Sequence, residues 1–94
     1  MEYEWDPRKS KLNFLKHGIS FDEAKEIFYG PVLTAEDRRK DYGEKRFISI
    51  GLIFGIAALV VVHTDRKRKT RIISARKANE KEKKFYYEYL KTKS

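Results

Sequence analysis

Phe47-Ile48-Ser49-Ile50-Gly51-Leu52-Ile53-Phe54-Gly55-Ile56-Ala57-Ala58-Leu59-Val60-Val61-Val62 is a run of sixteen residues without a charge, and its reading decides the fold. As one helix it would rise about 24 Å, short of the roughly 30 Å hydrocarbon core of a bilayer. Gly51 and Gly55 interrupt it, and its Ile and Val content favours strands. The expectation is two buried strands, residues 45–54 and 57–64, joined by a tight turn at Gly55-Ile56. No membrane span is expected.

Working outward, Asp65-Arg66-Lys67-Arg68-Lys69 reads as a charged hairpin tip and residues 70–75 as a third long strand. The short connections make these strands antiparallel neighbours. Both faces of the central strand are apolar, so both should be covered, partly by helices. Upstream, residues 2–5 suit a short strand. Asp6-Pro7 starts a helix, because Asp caps free N–H groups and Pro tolerates the first position. That helix should run from Pro7 to about His17, with Gly18 as its left-handed stop. Ser20 with Glu23 is a capping box opening a second helix through about Tyr29, with Phe21, Ala24, Ile27 and Phe28 as its apolar stripe. Gly30-Pro31 ends it. Residues 32–35 suit a strand and residues 36–44 a polar loop. A last helix begins near Asn79, which repeats the cap-and-acid pattern with Glu82, and its Phe85 and Tyr89 are expected to be core. The fold class is α+β: two N-terminal helices, a small antiparallel meander and a C-terminal helix.

Ninety-four residues suit one domain, residues 1–94. There is no Cys, and two isolated His cannot build a zinc site. Met1-Glu2-Tyr3-Glu4-Trp5-Asp6 is no secretory signal, so a cytoplasmic protein is expected. The net charge of +8 is unevenly placed. Residues 1–44 hold eight basic and ten acidic side chains, whereas residues 45–94 hold fourteen and four. This asymmetry points to a polyanion-binding face, with nucleic acid the leading polyanion.

Four blocks carry a family resemblance. They are Trp5-Asp6-Pro7 with Asn13, Lys16-His17-Gly18, Phe21 and Ala24; Arg46-Phe47 with Ile50-Gly51; Val61-Val62-His63-Thr64; and Arg71-Ile72-Ile73-Ser74-Ala75-Arg76 with Ala78. In this order and over nearly the whole chain, they resemble the BrnT toxins of bacterial toxin–antitoxin modules. The sequence departs from the commonest pattern at His63, where Tyr or an apolar residue is more usual, and in its basic tip. The resemblance implies a RelE-like fold, a toxin that cuts RNA and stops translation, and a toxin–antitoxin hetero-oligomer with a BrnA-like DNA-binding antitoxin.

RNA can be cleaved by its own 2′-hydroxyl when a base, an acid and cations surround one phosphate. The chain offers no nucleophilic Cys, no Gly-rich phosphate loop and no metal-spaced cluster, so a metal-independent route without cofactor is expected. Arg71 and Arg76 lead the candidates, since guanidinium binds phosphate oxygens in pairs and stays charged. Five apart on one strand they face opposite ways, and they share a site only if the strand ends or bulges near Ala75. Lys16 and His17 are further catalytic candidates, although both also suit a helix C-terminus. His63 is poised for proton transfer, although a His at a strand end is more often buried and hydrogen-bonded. Arg46 is a candidate RNA contact and Glu44 a weak base. Arg66, Lys67, Arg68 and Lys69 are candidate RNA-steering charges. The alternatives are a non-catalytic nucleic-acid-binding module with the same basic face, and an adaptor whose lysines meet an acidic protein.

Overall fold

Asp6 and Gly18 bound the first helix as their chemistry requires. The computed structural model describes residues 2–93; Met1 and Ser94, the ends of the expected 1–94 unit, lie outside the described residues. Asp6 accepts from the Arg8 N–H at 2.9 Å, Pro7 takes the first position, and α1 spans Pro7–His17. Gly18 adopts φ 74 and donates its N–H to Phe14 O at 2.7 Å. Ser20 and Glu23 form the expected reciprocal box and open α2, Phe21–Ala24. The chain then tightens into a 3₁₀ segment, Lys25–Tyr29. The expected second helix is therefore one turn of α continued as 3₁₀. Buried Phe21, Ala24 and Ile27 are spaced by three, the period of the tighter helix.

The strands are β1 Glu2–Glu4, β2 Leu33–Asp37, β3 Arg46–Ile53, β4 Ala57–Arg66 and β5 Lys69–Lys77, followed by α3 Glu80–Lys93. The sheet order is β1-β5-β4-β3-β2. From β2 to β5 the chain meanders antiparallel. β1, however, pairs parallel with β5, Glu2 opposite Lys69 and Glu4 opposite Arg71. The architecture is thus α+β with a mixed sheet, and the expectation of an all-antiparallel one is corrected at its first strand. A parallel pair needs a long crossover; here everything between β1 and β5 supplies it, so no local signal announces the pairing.

The helix α2 with the 3₁₀ segment covers one face, where Ile19, Phe21, Ala24, Ile27, Leu59, Val61, Ile72 and Ala75 form the main core. Gly51 is required there, because a Cβ would stand 2.8 Å from Ile27 Cβ. Asn13 fixes α1 to the sheet. Its amide donates to Ala75 O at 2.9 Å and accepts from Ala75 N at 3.2 Å, and donates again to Ile19 O at 2.8 Å. The side chain thereby completes a ladder rung along the border of β5 that β1 leaves uncovered.

The second face is covered only in part, by α3. At its start the Asn79 N–H donates to the Glu82 carboxylate at 2.9 Å and the Glu82 N–H to Asn79 Oδ1 at 2.8 Å. Tyr86 is fully buried and donates to Pro31 O at 2.6 Å, while Tyr89 donates to Val32 O at 3.1 Å. Phe85, expected in the core, is instead 66% exposed. The tyrosines face inward because their hydroxyls reach the carbonyls that precede β2.

The β3–β4 and β4–β5 hairpins close on tight turns with two left-handed residues each, Phe54-Gly55 (φ 53 and 67) and Lys67-Arg68 (φ 48 and 70). The charged tip is therefore two residues, not five: Arg66 still pairs with Lys69. No helix among the described residues is long and apolar enough to cross a membrane.

Candidate nucleic-acid interface

β5 contains the irregularity that the two leading arginines require. Val62 pairs with Ser74 and His63 with Ile72, leaving Ile73 as an extra residue. Such a bulge reverses the alternation of side chains beyond it. Arg71 consequently pairs with Thr64 and Arg76 with Val60. Thr64 and Val60 share a face of β4, so both arginines project from the same side of the sheet. They lie four residues of strand apart, about 13 Å. Arg46 joins them by alternation with Ile48 and Ile50 on β3.

This is the partly covered face. A 340 Å³ depression has Ile48, Val60, Val62 and Ser74 among its lining residues, with Arg39, Arg76 and Glu82 beside them. Arg39, in the connection after β2, was missed by sequence reasoning; the doublet Arg38-Arg39 in a segment read as plain loop was the available signal. Each guanidinium is held by a neighbour. Arg39 makes two 2.8 Å bonds to Asp37, which also accepts from Tyr42 at 3.1 Å. These bonds, with Arg39 the largest influence, hold the Asp37 carboxyl well below the usual carboxylate range. Arg46 lies 4.1 Å over the Tyr42 ring, with Glu44 at 3.9 Å. Arg71 has Glu4 at 3.8 Å. Arg76 makes two 2.8 Å bonds to Glu82, and its guanidinium lowers the pKa of that carboxyl.

The tip charges stand at the far end of the sheet. Arg66 is bound by Glu44 at 2.9 Å and Lys69 by Glu2 at 3.7 Å. Lys67 and Arg68 form the turn itself and are exposed.

Lys16 and His17 end α1, which Asn13 ties to the border of β5 at Ala75. His63 is buried on the face that the 3₁₀ segment covers. It lies 5.1 Å from the Phe28 ring and 5.8 Å from that of Phe47, with Nε2 2.8 Å from Ser49 Oγ. Ser49 Oγ in turn lies 2.7 Å from Thr34 Oγ1. Burial lowers the His63 pKa, against a smaller opposing effect of Asp65. Its surroundings are those of a packed core histidine. Of the expected catalytic side chains, Arg71 and Arg76 thus share one face of the sheet, and His63 lies on the other. Among the described residues no group of three His, Cys, Asp or Glu is placed to hold a metal ion.

Comparison with known proteins adds a second line. The family model described as "Ribonuclease toxin, BrnT, of type II toxin-antitoxin system" matches residues 5–82. No curated protein matches the chain. Among solved structures, the chain is similar to the 1.1 Å crystal structure of the Brucella abortus ribonuclease toxin, BrnT. The TM-score is 0.64 at 24% identity, covering 85% of this chain and 99% of that one, a likeness of fold.

Proposed function

The chain belongs to the BrnT family of ribonuclease toxins of type II toxin–antitoxin systems, and from that membership we propose that residues 1–94 act as a single endoribonuclease domain whose substrate lies across the arginine-bearing face of the sheet. The observation that carries the reading is the bulge at Ile73, which sets Arg71 and Arg76 on one open face with Arg46 and Arg39. About 13 Å of cationic strand suits a length of RNA backbone better than one isolated phosphate.

The chemistry in this reading needs no metal. The ribose 2′ oxygen attacks the adjacent phosphorus, giving up its proton, and the bond to the 5′ oxygen breaks as that oxygen gains one. A 2′,3′-cyclic phosphate and a free 5′-hydroxyl result. Negative charge grows on the phosphoryl oxygens, and Arg76 and Arg39 meet it from fixed positions, a contribution that is usually the largest in such sites. The apolar floor of Ile48, Val60 and Val62 limits competing water. His63 takes no part, because the helical layer encloses it. Cutting RNA in the cytoplasm inhibits translation, and a BrnA-like antitoxin neutralises the toxin within a hetero-oligomer.

The test is incubation of purified protein with end-labelled RNA in EDTA. Cleavage with cyclic-phosphate ends is expected, and Arg76→Ala and Arg39→Ala should each slow it at least a hundredfold with unchanged circular dichroism. Full cleavage by both folded variants would remove the arginine face from the mechanism. Binding without cleavage by the wild type would leave a nucleic-acid-binding module instead.

A further inference from the structure

The outer surface of α1 is not used by this reading. Its inner side is fixed by Asn13 on Ala75 and by Ser10, whose Oγ accepts from Phe21 N at 2.9 Å. That orientation turns Leu12 and Leu15, with Arg8 and Lys11, toward solvent, and Phe14 to the flank. Leu12 is 63%, Phe14 51% and Leu15 72% exposed. Single exposed leucines are ordinary, but Leu12 and Leu15, three apart, stand side by side as an apolar ridge, with Phe14 on the flank. The segment from Pro7 to Phe21 also contains no Asp or Glu, although the first 44 residues are net acidic. Lys9, Lys11 and Lys16 have no ion pair among the described residues.

We propose that the outer face of α1 docks an acidic amphipathic helix of a protein partner. Leu12 and Leu15, three apart, offer a ridge for the apolar stripe of a crossing helix. Arg8, Lys11 and Lys16 then meet carboxylates on its flanks, and this charge complementarity selects an acidic partner. Leucine gives RNA nothing to stack on or bond to. A membrane-surface helix separates its basic face from its apolar one, whereas here Arg8 and Lys11 share the leucine side. The proposal rests on the toxin reading only in requiring a protein partner. The leucine side of α1 is turned away from the Asn13–Ala75 contact, so a partner seated here leaves that contact in place.

The experiment uses the isotopically labelled full chain and a synthetic helical peptide with Leu at i, i+3 and i+7 and Glu on its flanks. A scrambled peptide of the same composition, anionic phosphatidylglycerol vesicles and a single-stranded RNA are the other probes. The amphipathic peptide should shift backbone amide signals of Arg8, Leu12 and Leu15 and bind at least tenfold more tightly than the scrambled one. The double variant Leu12→Gln, Leu15→Gln should lose at least tenfold in peptide affinity while cutting RNA as before. Equal binding of the scrambled peptide or of the variant overturns the proposal, as does a preference of α1 for vesicles or RNA. Absence of RNA cleavage with peptide docking intact would defeat the ribonuclease reading and leave this one standing.

Discussion

Replacing Glu82 by glutamine should strengthen RNA binding. In the free protein the Glu82 carboxylate occupies Arg76 with two 2.8 Å bonds, the geometry a phosphate would take. Arg76 lowers the pKa of Glu82, so the carboxylate stays ionised at neutral pH and competes with RNA. The side chains are 45% and 25% exposed, so solvent screening keeps the pair near the value of surface ion pairs, about 1 kcal/mol at most. Removing that competition is worth about fivefold in affinity. Loss of a negative charge roughly 7 Å from a bound phosphate adds about 0.6 kcal/mol before salt screening. The expected gain is therefore about five- to tenfold. Glutamine also serves at the third position of a capping box, so Glu82→Gln should melt within a few degrees of wild type. Glu82→Ala loses the cap as well, a further cost of about 1 kcal/mol, or about 4–8 °C in a domain of this size. The assay is fluorescence anisotropy with a 2′-O-methyl RNA, which cannot be cut, at two salt concentrations. Unchanged or weaker binding by a folded Glu82→Gln would refute the assignment of Arg76 as a phosphate ligand.

Three further outcomes follow from the core and the tip. His63→Ala should cost about 2–3 kcal/mol, through the space left between Phe28 and Phe47 and the lost Ser49 bond, while cleavage below its melting temperature stays within twofold. Because burial lowers the folded-state pKa of His63, the unfolded chain takes up its proton first as pH falls below about 6.5. Wild-type stability should therefore decline across that window, by at most about 1.4 kcal/mol per pH unit, and a melting series in which His63→Ala declines equally would contradict this. Lys67→Asn with Arg68→Gly places the residues that a turn with two positive φ angles prefers. It should raise the melting temperature by about 4–8 °C, for about 1 kcal/mol, and slow RNA association in stopped flow without altering turnover at saturation.

Much of the frame could be read locally, because caps and tight turns are written in neighbouring residues. Asp6, Pro7 and Gly18 set α1, and Ser20 with Glu23 set the start of α2. The uncharged run resolved into β3 and β4 through its glycines. What escaped depends on distant partners. The parallel β1–β5 pair joins residues nearly seventy positions apart. The bulge at Ile73 carries no glycine to mark it, yet it decides which way Arg71 points. In α3 a rotation of one position exchanged Phe85 for Tyr86, because the buried hydroxyls found carbonyls that periodicity does not reveal. His63 offered two roles by residue type, and only its packing between Phe28 and Phe47 separates them.

The Asn13 amide has a consequence beyond holding α1 in place. A sheet with a bare border invites another chain to extend it, and the unpaired peptide groups of β5 would be the template. One carboxamide, borrowing the hydrogen-bonding groups of a peptide unit, blunts that border at Ala75 without adding a strand. Templated growth is thus directed to the opposite margin, where β2 exposes Thr34, Ala35 and Glu36, a short segment whose acidic end discourages self-association.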